Sequence, residues 1–495
     1  MSRSISRGIS AGLVAVLLAA CTSSSTSTST PVIPAGPTGN AILTRIIGVG
    51  DSLTAGVQSD SLLGVTISPN PLGAGSPFPF VPNTQGHGYW ARIWSQANGG
   101  ADPLNVATSP LPLIAPPGDG QILLPSSTGS LTSIVASACA SQASVATSYA
   151  TALQSRLNPT TKPLDLGVPG ITLREAIVMT GPVAPCGGTG LPASLVPLVG
   201  IVNSEDTSFW PVLGNFPQGA TQLQDAVSLQ PTLSIVWLGS NDLLHFAFSN
   251  GVFPQTDPVQ FQNDTINVIQ TLQRAGSRVV ISNLVDVLNA ATFTKVGTLP
   301  AVFTVQLGAK GVPPATAQAL AAQVQAYLLQ NYGLGNGAYL ILGGAGKVQA
   351  AVSAVLTGAA PSINVALSAP AAHLVAGDFV SDATAATTQS LNTAYNVAIG
   401  NAATQTGATL VDTHAFTAAI FTAGGLALPG NPKCCSTFYG GGFFSLDGLH
   451  PSDTAYALLA NNFIATIDTS LGVSIPQLTT AQITAINATD LYSPH

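Results

Sequence analysis

The chain has 495 residues, of which 46% are hydrophobic and only 7% charged, so a large core is available and the surface must be built mainly from Ser, Thr, Asn, Gln, Gly and Ala. The 13 Lys and Arg are scattered and stand against 20 Asp and Glu, a net charge of −7, which excludes a basic face for nucleic acid. Length alone suggests two or three domains.

The N-terminus carries Arg3 and Arg7, an apolar core over residues 11–18, and then Leu18-Ala19-Ala20-Cys21. The apolar stretch is too short to cross a bilayer core of about 30 Å, so it reads as an export signal and not as a membrane span. Leu-Ala-Ala-Cys closing such a stretch resembles the bacterial lipoprotein cleavage site. The resemblance implies removal of residues 1–20 and a lipidated Cys21 as the first residue of an exported, membrane-anchored protein facing the periplasm or the cell exterior. Residues 22–30 are all Ser or Thr, followed by a Pro/Gly-containing piece. With nothing to bury, residues 21–40 form a flexible tether.

The globular part spans residues 41–475 and leaves 476–495 as a C-terminal tail. Its first element is the run Ile46-Ile47-Gly48-Val49-Gly50, which stops at Asp51-Ser52. An apolar, β-branched run of this length predicts a strand buried on both faces, here delivering a serine to the edge of a sheet. Residues 59–83 read as a long loop, and a helix opens after Gly86-His87-Gly88, where His87 is read as a structural hydrogen-bonding group. A second short strand, Leu164-Asp165-Leu166-Gly167-Val168, ends in glycines and leads through Pro169 and Gly170 to a helix start. A third, Thr232 onward, ends in Gly239-Ser240-Asn241-Asp242, whose asparagine amide can donate two hydrogen bonds.

Helical spacing of Phe261, Ile266, Val268, Ile269 and Leu272 predicts a helix over 258–275, and a strand follows over 278–284. Strand, helix and strand thus alternate as in a parallel sheet with crossover helices. Residues 285–376 form an insertion rich in Ala, Val and Leu, with one clear helix over 314–332. Either it overhangs the strand ends and walls an acyl site, or it packs as an additional helical layer. A helix over 381–406 and a strand over 408–412 come next. The last informative segment is Ser445-Leu446-Asp447-Gly448-Leu449-His450-Pro451-Ser452, in which a carboxylate and an imidazole three residues apart can reach the same side of a turn. Pro451 and Ser452 suit the start of the helix expected from 452 to 471.

Gly-Asp-Ser-Leu, a Gly-terminated strand, Gly-x-Asn-Asp and Asp-x-x-His-Pro, in that order, resemble the SGNH (GDSL) hydrolase family. The resemblance implies a three-layer α/β/α sandwich with a central parallel sheet, flavodoxin-like, carrying large insertions. It also implies Ser52 as nucleophile, Asp447 and His450 as its triad partners, and Ser52, Gly170 and Asn241 as donors of an oxyanion hole. One departure is Asp165, where many relatives have Asn. The chemistry is consistent on its own terms, since a serine hydroxyl needs a base within hydrogen-bond reach and the tetrahedral intermediate needs fixed donors. There is no Gly-x-Ser-x-Gly, so the nucleophile elbow of the α/β-hydrolases is not the template. The six histidines show no paired metal-ligand spacing, and neither metal nor cofactor is implied.

The function expected is therefore hydrolysis of carboxylic acyl esters, small or lipid-like, through an acyl-enzyme on Ser52. Two rivals are a polysaccharide O-deacetylase of the same mechanism and a catalytically silent, surface-binding lipoprotein. Export makes disulfides available to Cys139, Cys186, Cys434 and Cys435 in three connectivities. Adjacent Cα atoms across a trans peptide lie about 3.8 Å apart, below the usual disulfide span of about 4.4–6.8 Å. The expectation is that Cys434 or Cys435 pairs with Cys139 or Cys186.

Overall fold

The computed structural model describes residues 34–58, 84–113, 156–180, 209, 212–217, 219–432 and 434–493. The signal segment with Cys21, most of the tether, and Cys139 and Cys186 lie outside them. The apolar run Ile46–Gly50 is β1, buried along its whole length. After it the chain turns through Asp51 into a single helical turn, α1 (Ser52–Ala55), in which the Asp51 carboxylate accepts the Leu53 N–H. Gly56 ends that turn in the left-handed conformation, φ 77°. The helix after His87 is α2 (Tyr89–Ala97).

Residues 164–168 lie along the outer edge of β1. The Gly48 N–H donates to the Leu164 carbonyl at 2.9 Å, and the Leu166 and Val168 N–H groups donate to the Gly48 and Gly50 carbonyls, both at 3.0 Å. This segment leads into α3 (Leu173–Val178). There follow α4 (Gln222–Ser228), β2 (Leu233–Trp237), α5 (Ser240–Phe248), α6 (Pro258–Arg274) and β3 (Arg278–Ser282). Proline at the first position of α6 and Asp257 at its cap explain why that helix begins where it does.

The core sheet is completed far along the chain. It runs β1-β2-β3-β7, with β7 at Thr409–Val411, and every pairing is parallel. Counting the segment 164–168 outside β1, the five strands lie in the chain order 2-1-3-4-5, that of the flavodoxin-like doubly wound sheet. Their continuous apolar character follows from burial on both faces: α2 packs with the long helix Asp453–Leu471 in one layer, and α6 packs with the helix Asp382–Thr406 in the other. A stacked pair, Phe261 and Tyr395 with ring centroids 4.1 Å apart, joins the latter two.

Between β3 and β7 lies the insertion, and it divides in two. Residues 287–290 turn back against the main core, where Val287, Leu288 and Ala290 are buried. From β4 (Phe293–Lys295) the chain continues through α7 (Leu299–Gly308), α8 (Pro314–Tyr332), β5 (Tyr339–Ile341), α9 (Leu342–Leu356), α10 (Ile363–Ser368) and β6 (Phe379–Val380), with Phe293, Tyr339, Ile341 and Val380 of the strands packed into the main core. The three short strands form an antiparallel sheet, β4-β5-β6. Phe303, Leu320, Val324, Leu328 and Val348 belong to a second apolar core that is separate from the first. The helix Asp382–Thr406 is α11, and α12 (Thr413–Thr422), α13 (Asp453–Leu471) and α14 (Thr480–Thr489) complete the chain.

Two expectations are corrected here. The C-terminal stretch is not a tail: Thr479 and Gln482 form a capping box that starts α14, and the buried Asp490 accepts from the Thr454 N–H at 2.8 Å and its hydroxyl at 2.6 Å. Nor does Cys434 or Cys435 pair with a distant cysteine. The two are bonded to each other, with Cα atoms 3.4 Å apart, in a turn where Cys435 takes the left-handed conformation, φ 69°. Among the described residues no helix is long and apolar enough to cross a membrane.

Candidate active site

Ser52 is the first residue of α1, so its N–H has no partner within the helix. The residue before it does the local work. Asp51 is buried, and its Oδ1 accepts the Leu53 N–H at 3.0 Å, fixing the turn that lifts the serine hydroxyl clear of the strand. Burial raises the Asp51 carboxyl to about 7, against the opposing pull of the Leu53 N–H and of His450.

His450 reaches across from the loop before α13. Its Nε2 stands 2.8 Å from the Ser52 Oγ, and its Nδ1 2.7 Å from the Asp447 Oδ2. A carboxylate only accepts, so the proton on Nδ1 faces Asp447 and Nε2 is left to accept from the serine. Asp447 is itself held firmly: its Oδ1 accepts the N–H groups of Leu449 at 2.7 Å and His450 at 2.8 Å, and the Ser445 hydroxyl at 3.1 Å. Burial opposes its charge, yet His450 and these N–H groups hold it below the usual carboxylate range. The loop closes on itself through the Ser445 N–H and the His450 carbonyl, 2.8 Å apart, and Gly448 supplies the left-handed turn between them at φ 69°.

Asn241 sits in the first turn of α5, just past Gly239. Its side-chain amide donates to the Ile171 carbonyl at 3.0 Å and approaches the Asp51 Oδ2 at 3.4 Å. Asp242 beside it accepts the Leu173 N–H at 2.9 Å and the Thr256 hydroxyl at 2.7 Å. Together the pair clamps residues 171–173, which fixes the preceding turn where Gly170 stands at φ 86°. All four motif-bearing segments therefore converge on the crevice between β1 and β2, the place where the strand order reverses and where doubly wound sheets bind their ligands.

A pocket opens there, with Ser52, Asn241 and His450 in its wall. Gly170 is not among its lining residues. Most of the remaining wall is apolar, including Leu53, Leu244, Val287, Phe421, Phe444 and Leu449. Asp286 contributes the one carboxylate besides Asp51, and burial raises it above the usual range. His87 lies away from the cavity and pairs with Asp453 at 2.8 Å, tying the start of α2 to the start of α13. Among the described residues no group of His, Cys, Asp or Glu could hold a metal ion.

Two buried polar residues stand behind the site: Asp165, which the sequence marks as a departure from the family pattern, and Gln222, which it does not single out. Asp165 is buried, with Oδ1 accepting the Gly167 N–H at 2.9 Å and Oδ2 without a partner; burial pushes it up to about 8. Gln222 is wholly buried on α4 and reaches the same two strand ends. The sequence carried one signal for its location: Thr221 and Gln224 form a capping box that marks the start of α4.

Comparison with known families gives a match to the GDSL-like Lipase/Acylhydrolase family over residues 46–463. That span covers most of the chain and all four segments, and the chain belongs to this family. No curated protein and no solved structure matches it.

Proposed function

We propose that this acylhydrolase is a carboxylic ester hydrolase working through an acyl-enzyme on Ser52. The observation that carries the reading is the unbroken series Asp447, His450, Ser52, with contacts of 2.7 and 2.8 Å, opening into a mostly apolar cavity. His450 takes the serine proton as Oγ attacks the ester carbonyl, and Asp447 stabilises the imidazolium that forms. The Ser52 and Gly170 N–H groups and the Asn241 amide supply the donors for the developing oxyanion. His450 then returns the proton to the leaving alcohol, and water reverses the sequence to release the acid. The apolar wall favours an acyl chain, each buried methylene contributing about 0.8 kcal/mol.

We further propose that the enzyme is exported and anchored through a lipid on Cys21, the Ser/Thr tether holding the catalytic domain clear of the membrane. The test of the catalytic reading is labelling with a serine-reactive phosphonate, followed by locating the modified residue. Labelling of Ser52 together with hydrolysis of aryl esters supports it. An unlabelled protein overturns it, and a labelled one that releases only acetate from acetylated polysaccharide keeps the mechanism and moves the substrate to the deacetylase reading.

A further inference from the structure

We infer that Gln222 is a positioning residue for catalysis, holding the nucleophile strand and the oxyanion strand in register; the inference rests on the ester-hydrolase reading above. Gln222 is the first residue of α4, 0% exposed, and its side chain points at the sheet. Its Nε2 donates to the Gly50 carbonyl at 2.7 Å and to the Leu166 carbonyl at 2.6 Å. Both targets can only accept, so the amide nitrogen, with its two hydrogens, must face them.

The location of those carbonyls gives the contact its meaning. Gly50 is two residues before Ser52, and Leu166 is four before Gly170. Along β1 and the segment 164–168 the ladder proceeds by direct backbone bonds as far as Val168 N–H to Gly50 O. The Leu166 carbonyl takes no other hydrogen bond among the described residues, so Gln222 fills that gap just where β1 turns away into α1. Gly167 shows how little slack the junction has: a Cβ there would fall on the Ala55 N–H and lie 2.9 Å from the Asp51 carbonyl. The two N–H groups assigned to the oxyanion therefore ride on strand ends that one side-chain amide ties together beside the last backbone bond, from the Val168 N–H to the Gly50 carbonyl.

Packing alone does not account for a glutamine at this position. Its Oε1 is buried without a partner, a feature that methionine would avoid at the same length. What glutamine supplies and methionine lacks is the pair of donors. A purely structural role predicts that Gln222→Met shifts thermal stability, since it removes the orphan Oε1 but strands the Leu166 carbonyl, and leaves the turnover of the folded protein alone. A positioning role predicts a fall in kcat with KM little changed, since donors aimed at the oxyanion act in the transition state and not on the bound ester.

The experiment compares wild type, Gln222→Met and Gln222→Glu on one aryl ester, with thermal melts alongside and Ser52→Ala as a separate check that hydrolysis depends on the nucleophile. Gln222→Met is expected to lose about tenfold or more in kcat at a KM within about twofold of wild type, the scale of a sub-ångström misplacement. Gln222→Glu keeps the volume and, when protonated, donates to one carbonyl. Its kcat is expected to fall between the other two, and its ratio to wild type to decline as pH rises and the carboxyl ionises. A folded Gln222→Met with wild-type kcat, or a Gln222→Glu ratio that stays near one at every pH, overturns the inference while leaving the Ser52 mechanism standing. Loss of Ser52 dependence would instead remove the mechanism itself.

Discussion

Thr292 donates its backbone N–H to the carbonyl of Gly448 at 2.7 Å, so the entry to the insertion braces the turn between Asp447 and His450. The approach leaves no room for a side chain, because a Cβ on Gly448 would lie 2.8 Å from the same Thr292 nitrogen. Gly448 is thus required twice, by its left-handed backbone, φ 69°, and by the space it leaves. Gly448→Ala is expected to push the turn away from Thr292, lengthen the Asp447–His450 contact and lower kcat, with a stability loss of about 1–3 kcal/mol. Steady-state kinetics and a denaturant melt measure both, and wild-type values in each would show that the brace is not needed.

The nucleophile, base and oxyanion donors make separable predictions. Ser52→Ala removes a half-buried hydroxyl and no core volume, so hydrolysis should drop to background while the melt is unchanged. His450→Ala should be nearly as damaging, because the two act as one unit. Asn241→Ala should cost about 10²–10³-fold in kcat, the usual loss for one oxyanion donor, with some stability lost as well because its amide also holds the Ile171 carbonyl. Substantial hydrolysis by the Ser52 variant would refute the assignment.

The core of this site was readable in the sequence for physical reasons. Strands β1, β2 and β3 are buried on both faces, so they stand out as predominantly apolar runs, and each reactive group sits within a few residues of a strand end or in a short capped turn. Asp447 and His450 were readable because their spacing is local. Other features were hidden because they depend on distance in space. Nothing in the segment 222–228 indicates that Gln222 meets Gly50 and Leu166 across the sheet. Strands β4, β5 and β6 have only two or three residues each, too few for any alternation to show, so the insertion's separate core was invisible. The Cys434–Cys435 bond was not legible either, because the general span rule for disulfides argues against any bridge between adjacent cysteines.

Asp165 gives a pH prediction. Burial raises its carboxyl from an ordinary 3.8 to about 8, so over that interval the folded state holds a proton that the unfolded chain releases. Its contribution to stability is therefore complete below about pH 4 and is lost as pH rises through about 8. Asp165→Asn keeps an acceptor for the Gly167 N–H and cannot ionise. Relative to wild type its melting temperature should gain steadily from pH 4 to pH 8, and its activity should persist further into the alkaline range. A melting difference that is flat across this interval would mean that Asp165 is ionised in the fold throughout.

The final prediction concerns substrate. Of the insertion, only the first residues, including Val287 and Ala290, enter the cavity wall; its helices α7 to α10 are built around a core of their own, while Phe293, Tyr339, Ile341 and Val380 of its short strands join the main core. Acyl preference should then be set by this short stretch together with Leu244, Phe421 and Phe444, and not by the helices α7 to α10. Aryl esters should be cleaved with rising kcat/KM as acetate is lengthened to butyrate or hexanoate, since added methylenes gain burial against an apolar wall. Val287 is nearly buried, 3% exposed, and Val287→Trp would project a larger ring into the cavity. That variant should keep acetate hydrolysis within a few-fold of wild type and lose most of the gain on hexanoate. If Val287→Trp lowers all chain lengths equally, or if wild type peaks at acetate, the acyl chain does not occupy this wall and the cavity serves the alcohol side of the ester instead.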